Sequence, residues 1–356
     1  MFRRSAQLSA VDCKAAVVRL HCDLPRLQLG HGPTPVRPLD GLHEHGDAPV
    51  WLKDDGAYSR FGGNKARKLS FLLADARAKG CRTVITGGAL GTNHGLATAL
   101  FAREAGLRTV LVLVTQPASE HVERQLERMR AAGAEIHRAS GIVAGFAKAA
   151  PLIAARGLRD GRRPYFILPG GSVPLGCVGY VEAGLELGEQ VSAGLLPEPS
   201  HAVVALGSGG TAAGLLLGLR LAGLRTRLVC VLVNDLTPVS ARSVARLANR
   251  TGRLLRRKGA NVPARGFAAE DLQVERAWLG DGYGHPTTAG EHATRLLASE
   301  QVELEPTYTA KAAAAMLALN ERGGFGPGPV LYWHTYGAAP SAEEIAQSFR
   351  AFTAVP

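Results

Sequence analysis

Short apolar runs recur along the chain: "TVITGG" (83–88), "TVLVLVT" (109–115), "YFILPGG" (165–171), "HAVVALG" (201–207), "RLVCVLVND" (227–235) and "PVLYWHTYG" (329–337). Each is nearly continuous in β-branched and aliphatic residues, which predicts strands buried on both faces of a parallel sheet. Between them lie stretches of helical periodicity, such as "KARKLSFLLADARAKG" (65–80) and "EHVERQLERMRAAGAE" (120–135), several ending at a capping glycine. The alternation predicts an α/β fold of doubly wound parallel sheets with right-handed crossovers. "LRDGRRPYFILPGG" gathers polar, Gly and Pro residues before a strand and sets a division near residue 165. The Pro- and Gly-rich segment before Trp51 is expected to wrap the surface.

Composition narrows the class. A chain of 356 residues with 46% hydrophobic content makes one large or two medium domains. Cys13, Cys22, Cys81, Cys177 and Cys230 are scattered and never spaced C-x-x-C. They read as reduced packing residues of a cytoplasmic protein, with no metal site. Asp12, Lys14 and Arg19 interrupt any apolar core in the first twenty residues, so no signal peptide is expected. No apolar run is long enough to span a bilayer, and no membrane partner is expected. The net charge of +11 would suit a polyanion, but only eight of the 41 basic residues are lysine, and the excess of arginine is spread over the whole chain. Arg242, Arg246 and Arg250 lie at helical spacing without interleaved aromatics, which reads as a solvated helix face and not as a nucleic-acid surface.

Four places concentrate chemistry. In "FGGNKARKL", Gly62, Gly63 and Asn64 precede Lys65 in the first turn of a helix. The helix field disfavours a cation there and lowers an amine's pKa, as a nucleophilic lysine requires; an exposed surface lysine is the equal alternative. In "GGALGTNHGLA", Thr92, Asn93 and His94 sit at a strand-to-helix junction, as an N-cap and loop ties or as ligand contacts at a sheet's carboxyl edge. In "ALGSGGTAAGLLLG", Gly207, Ser208, Gly209, Gly210 and Thr211 offer backbone amides and a helix N-terminus to a phosphate. The same loop fits a relaxed G-x-G-x-x-A pattern from Gly207 to Ala212. With Asp235 ending the next strand, it allows a dinucleotide-dependent oxidoreductase. Last, "DGYGHP", "EPTYTAKA" and "YWHTYGAAP" supply Tyr283, Tyr308, Thr309 and Thr335, each of which taken singly reads as packing.

Taken in order, "LPRLQLGHGPTPVRPLDGL", "GGNKARKLSFLLADA", "TNH", "LPGGSVPLGCVGYVEAGLEL", "GSGGTAAGL", "GYGHP", "EPTYTAKA" and "HT" resemble the 1-aminocyclopropane-1-carboxylate deaminases and D-cysteine desulfhydrases. That family belongs to fold type II of the pyridoxal-phosphate enzymes (tryptophan synthase β-like). The resemblance implies two doubly wound parallel-sheet domains: a large cofactor-binding domain of residues 1–58 and 166–356, and a small one, 59–165, that carries the Schiff-base lysine. It implies pyridoxal 5'-phosphate as cofactor, a small amino acid as substrate and a homodimer. Lys65 matches the Schiff-base lysine. Lys68 and the Gly-rich loop, Ser208 to Thr211, match the phosphate site, and Asn93 matches the residue against the pyridine 3-oxygen. Thr92 stands where relatives have a serine that works at the substrate. Tyr283 and Tyr308 match tyrosines that flank the substrate.

Thr309 and Thr335 match the desulfhydrase branch, whereas deaminases tend to have Glu and Leu. A hydroxyl opposite the pyridine nitrogen protonates it less firmly than a carboxylate, favouring expulsion of a β-group. The resemblance thus implies α,β-elimination to a 2-oxo acid and ammonia, with ring-opening deamination, β-replacement or racemisation as alternatives on the same scaffold. The chain departs from the pattern at Gly91, where a glutamine is usual, at Tyr336, where a glycine is common, and at His285, where an aliphatic residue is common. Gly91 is expected to open space beside Thr92, Tyr336 to narrow the opposite wall, and His285 to offer a polar group near Tyr283.

Overall fold

The computed structural model describes Leu20 and residues 22–61, 63–264 and 266–353. The N-terminal reading of residues 1–19, Cys13 and the quoted Gly62 lie outside the described residues. The chain starts with two antiparallel strands, β1 (Val36–Pro38) and β2 (Val50–Asp54). It then alternates through α1 (Lys65–Ala78), β3 (Thr83–Ala89), α2 (Asn93–Glu104), β4 (Arg108–Val114), α3 (Glu120–Ala131), β5 (Glu135–Ala139), α4 (Ile142–Asp160) and β6 (Tyr165–Ile167). These four later strands form one all-parallel sheet in the order β5-β4-β3-β6.

Next come α5 (Pro174–Ser192), β7 (His201–Leu206), α6 (Gly210–Leu221), β8 (Arg227–Leu232), α7 (Ala241–Arg257), β9 (Leu272–Glu275), α8 (Thr288–Ser299), α9 (Thr309–Glu321) and β10 (Val330–His334). Here the strands join the first pair in a second sheet, β1-β2-β10-β7-β8-β9, parallel except at β1. The last helix, α10 (Ala342–Thr353), returns to the first sheet's side, where Ile345 shares a core with Met129 of α3.

The doubly wound parallel expectation holds in both sheets. Because β4 and β8 are covered on both faces, nearly all of their residues are buried, as their unbroken apolar runs predicted. Helices α5 and α6 pack backbone to backbone: a Cβ on Gly218 would come within 2.4 Å of Val181 O, and one on Gly184 within 2.7 Å of Gly218 C. Only glycine permits that approach.

A buried ion cluster fastens α1 to its surroundings. Arg67 is 3% exposed and binds Asp55 Oδ1 at 2.9 Å and Glu186 Oε2 at 3.1 Å. Lys53 of β2, fully buried, pairs with the other Glu186 oxygen. Asp55 also accepts from Tyr180 Oη (2.9 Å), Trp333 Nε1 (3.1 Å) and Thr34 Oγ1 (3.0 Å), so the buried carboxylate is fully satisfied. Despite burial, Arg67 and Lys53 hold its carboxyl below the ordinary 3.8.

Removing one member of such a cluster strands the others. Arg67→Ala is expected to cost about 3–5 kcal/mol, read from the denaturant midpoint at neutral pH. Since the Asp55 pKa is depressed in the folded state, its contribution is present above 3.8 and lost as pH falls through the lower native value. The gap between wild type and variant should therefore narrow below that pH.

Candidate active site

The carboxyl ends of β3, β4, β6 and β7 open on one cavity of about 630 Å³. This is the edge of a parallel sheet at which ligands bind in α/β folds. Lys65 is the first residue of α1, and the preceding Asn64 N–H donates to Thr335 O (3.1 Å), tying the helix start to the end of β10. Lys65 Nζ donates to Asn64 Oδ1. Enclosure by the cavity walls, with Lys68 beside it, lowers the Lys65 amine to about 7 against the opposing pull of Glu305. Burial likewise lowers Lys68 to about 8. Lys68 follows Lys65 by three residues, on the same helix face.

Opposite stands the glycine loop. Gly207, Ser208, Gly209 and Thr211 line the cavity, and Gly209 turns the chain at a φ of +86° to start α6. A Cβ on Gly210 would lie 2.9 Å from Lys68 Nζ, so the loop and that amine meet directly. Ser172, after β6, accepts from Gly210 N (3.0 Å) and bonds Ser208 Oγ (2.7 Å). Lys68 is 2% exposed, and its one hydrogen bond among the described residues goes to Gly170 O (3.1 Å). Two of its N–H donors, next to the amides that open α6, are free for an anion.

Thr92 caps α2, accepting from Gly95 N at 3.2 Å, and Asn93 follows in the first turn. His94 is a structural tie: its Nε2 donates to Thr86 Oγ1 (3.1 Å), which itself donates to Ile167 O (2.8 Å). Burial lowers that imidazole to about 3 and keeps it neutral. Tyr283 and Tyr308 pair through their hydroxyls at 2.7 Å, ring edge to ring face. Burial raises Tyr283 to about 12. Asp235 accepts the Tyr283 N–H (3.1 Å), and Lys311 Nζ donates to Leu279 O (2.7 Å) and Gly282 O (3.1 Å), fixing that loop. The acid on which a dinucleotide reading rests is thus engaged in holding Tyr283, and it does not line the cavity.

The match of the family described as "Pyridoxal-phosphate dependent enzyme" runs over residues 27–335. The chain belongs to that family. It is 36% identical over 324 residues to the D-cysteine desulfhydrase of Salmonella choleraesuis (strain SC-B67), covering 88% of this chain and 94% of that protein. It is 35% identical over 321 residues to that of Klebsiella pneumoniae (strain 342), with the same coverage. Among solved structures, that of an ACC deaminase homologue aligns with a TM-score of 0.77 and 32% identity, covering 89% of this chain and 93% of that one.

The donor set suits the family's cofactor. Two enclosed amines with lowered pKa values, one partnered only by a carbonyl oxygen, and a glycine loop at a helix start together provide an aldehyde-reactive nitrogen and a phosphate cradle. Among the described residues, no group of three or more His, Cys, Asp or Glu is arranged to hold a metal ion.

The structure corrects three details. Gly91 opens no space beside Thr92, because Gln116 Oε1 accepts its N–H (2.9 Å) and a Cβ there would lie 3.0 Å from Gln116 Nε2 and 3.2 Å from Val122. His285 does not line the cavity, whereas Tyr336 does. The Thr309 hydroxyl is consumed by Glu305, accepting from its N–H (2.8 Å), so of the two threonines only Thr335 keeps its hydroxyl unpartnered among the described residues. Sequence reasoning missed Glu305, a buried cavity-lining carboxylate held by the N–H groups of Thr307, Tyr308 and Thr309. An acid just ahead of a helix start, in "EPTYTAKA", was its signal. Ser172 and Gln125 were missed too, and Arg246 and Arg250, read as a solvated face, also border the cavity.

Gly91→Gln is expected to displace Gln116 from its bond to residue 91. That should cost about 1–3 kcal/mol and lower the thermal midpoint by a few degrees, measured by calorimetry.

Proposed function

We propose that this chain is a lyase that takes D-cysteine, or a related small β-substituted amino acid, through α,β-elimination to a 2-oxo acid and ammonia. The observation that carries the reading is the Lys65–Lys68 pair facing the Gly207–Thr211 loop, in a chain similar along most of its length to D-cysteine desulfhydrases. Lys68, Ser208, Gly209, Gly210 and Thr211 would hold the cofactor phosphate, Asn93 would serve its 3-oxygen, and Thr335 would offer its hydroxyl to the pyridine nitrogen. Bound pyridoxal phosphate supplies the electron sink that acidifies the substrate Cα–H.

The protein's own groups do the rest. With its pKa lowered to about 7, Lys65 Nζ has a substantial neutral share near neutral pH, able to attack a carbonyl carbon and to take the Cα proton. Thr92 Oγ1 accepts from Gly95 N, which leaves its O–H to donate to a substrate carboxylate at the positive end of α2. Tyr283 and Tyr308 flank the departing group, with one hydroxyl proton to give between them. Tyr336 narrows this wall and biases the cavity toward small substrates. Ring opening of a cyclopropane amino acid is the second reading, supported by the likeness to an ACC deaminase homologue; Thr309 in place of a carboxylate weighs against it. We further propose two domains, 1–58 with 166–356 and 59–165, except that β6 (Tyr165–Ile167), on that boundary, completes the smaller domain's sheet and α10 packs on the same side, and we propose a cytoplasmic homodimer.

Lys65→Ala is expected to bind pyridoxal phosphate noncovalently, to show no borohydride-fixed adduct and to turn over D-cysteine at least 10³-fold more slowly, on the scale of losing a covalent nucleophile. Near-normal kcat/KM would overturn the assignment. In cofactor-free wild type, capture of the aldehyde needs the neutral amine, so its rate should climb as pH rises through about 7, followed by stopped-flow absorbance. Gly209→Asp puts a Cβ at positive φ and a carboxylate beside the phosphate, and equilibrium dialysis should find cofactor affinity reduced by roughly a hundredfold with the fold intact.

A further inference from the structure

A chain of three polar side chains runs from the surface of α3 into the cavity. Arg128 Nη1 donates to Gln125 Oε1 at 3.2 Å, and Gln125 Nε2 donates to Asn93 Oδ1 at 2.6 Å. Gln125 is 1% exposed, on the buried face of an otherwise charged amphipathic helix, and it lines the cavity together with Asn93 and Arg128. An amide can be turned end for end at almost no steric cost, but a guanidinium has donors only. Arg128 therefore fixes the direction of the whole chain: Gln125 must present its oxygen to Arg128 and its NH2 to Asn93. Asn93 must then present its oxygen to Gln125. Its own NH2, without a partner among the described residues, is left as the group facing the cavity.

We infer that Arg128 and Gln125 are positioning residues that hold Asn93 as a donor toward the cavity, and that they thereby set the protonation of the cofactor oxygen lying against it. The inference rests on the proposed function, in which that oxygen is the pyridine 3-oxygen. A donor there stabilises the oxygen in its deprotonated form; a reversed amide would aim a carbonyl at it and favour retention of its proton. Gln125 lies in α3, far from the glycine loop in sequence, and the action inferred for it runs through Asn93.

Two substitutions reverse the chain from different ends. Gln125→Glu keeps the shape and the bond to Arg128 but accepts from both sides, so Asn93 must turn its NH2 away from the cavity. Arg128→Glu replaces the pure donor by a pure acceptor, turning Gln125 and with it Asn93. Gln125→Leu removes the coupling without reversing it. Holoenzymes are compared by visible spectrum and by cofactor affinity in equilibrium dialysis, with far-ultraviolet circular dichroism as the check on folding.

Both reversals should move absorbance from the yellow band to the shorter-wavelength band and weaken cofactor binding roughly tenfold, the scale of one charge-assisted hydrogen bond. Gln125→Leu should fall between them and wild type, an order that a purely structural role for residue 125 would not produce. Reversal variants that keep the wild-type band ratio and affinity would overturn the relay while leaving Lys65 and the cofactor assignment standing. A wild-type protein that stays colourless with pyridoxal phosphate would remove both readings.

Discussion

Everything at the cavity hangs on where helix α1 begins, and a buried guanidinium decides that. Arg67 lies two residues after Lys65 and one before Lys68, on the helix face turned away from the cavity, gripped by Asp55 and Glu186. A helix start tolerates rotation and fraying unless something over-determines it. Here the clamp fixes the helix's rotation about its axis, and the bond from Asn64 N to Thr335 O fixes its first turn. The two amines then have one direction in which to point. Burying four charges is costly, and clusters of this kind contribute more to a unique arrangement than to net stability. Uniqueness is what the covalent attachment point proposed at Lys65 needs.

The cavity itself is electrostatically incomplete. Lys65 and Lys68 repel each other, each depresses His94, and the enclosed acid among them, Glu305, is engaged with the amides that open α9. An arriving dianion would be met by the Lys68 ammonium and the donors of the glycine loop together. The arrangement that lowers an amine's pKa in the free protein is thus the one that strengthens binding of an anionic cofactor. Arg246 and Arg250 at the rim extend the same positive field outward, where it raises the encounter rate with anions.

The central strands were legible because burial on both faces leaves no room for polar alternation. Strands carrying polar or charged residues were not: the edge strands β5, with Glu135, His137 and Arg138, and β9, with Gln273 and Glu275, are half-exposed and polar, and β2, one place in from an edge, hides the charged Lys53. At the cavity, residues carried by local chemistry could be read, such as a lysine at a helix start or glycines before a helix. Residues recruited by topology could not. Gln116 reaches Gly91 across 25 positions and fills the room its missing side chain leaves. Nothing local marks Arg67, whose partners Asp55 and Glu186 lie 12 and 119 positions away. Nothing local marks Gln125 either, because its partner Asn93 lies 32 positions away.

The chain crosses between its two sheets three times: after β2, after β6, and again after β10 on the way to α10. Each crossing supplies cavity wall, through Gly63 and Asn64, through Pro169, Gly170 and Ser172, and through Thr335, Tyr336 and Gly337. The seam of the molecule is therefore also the wall of its proposed active site. Any rocking of one sheet against the other must bend these three straps and change the cavity in the same motion. Three straps also leave fewer ways to rock than a single linker would, so any such movement would be guided and hinge-like, with the cavity on its axis.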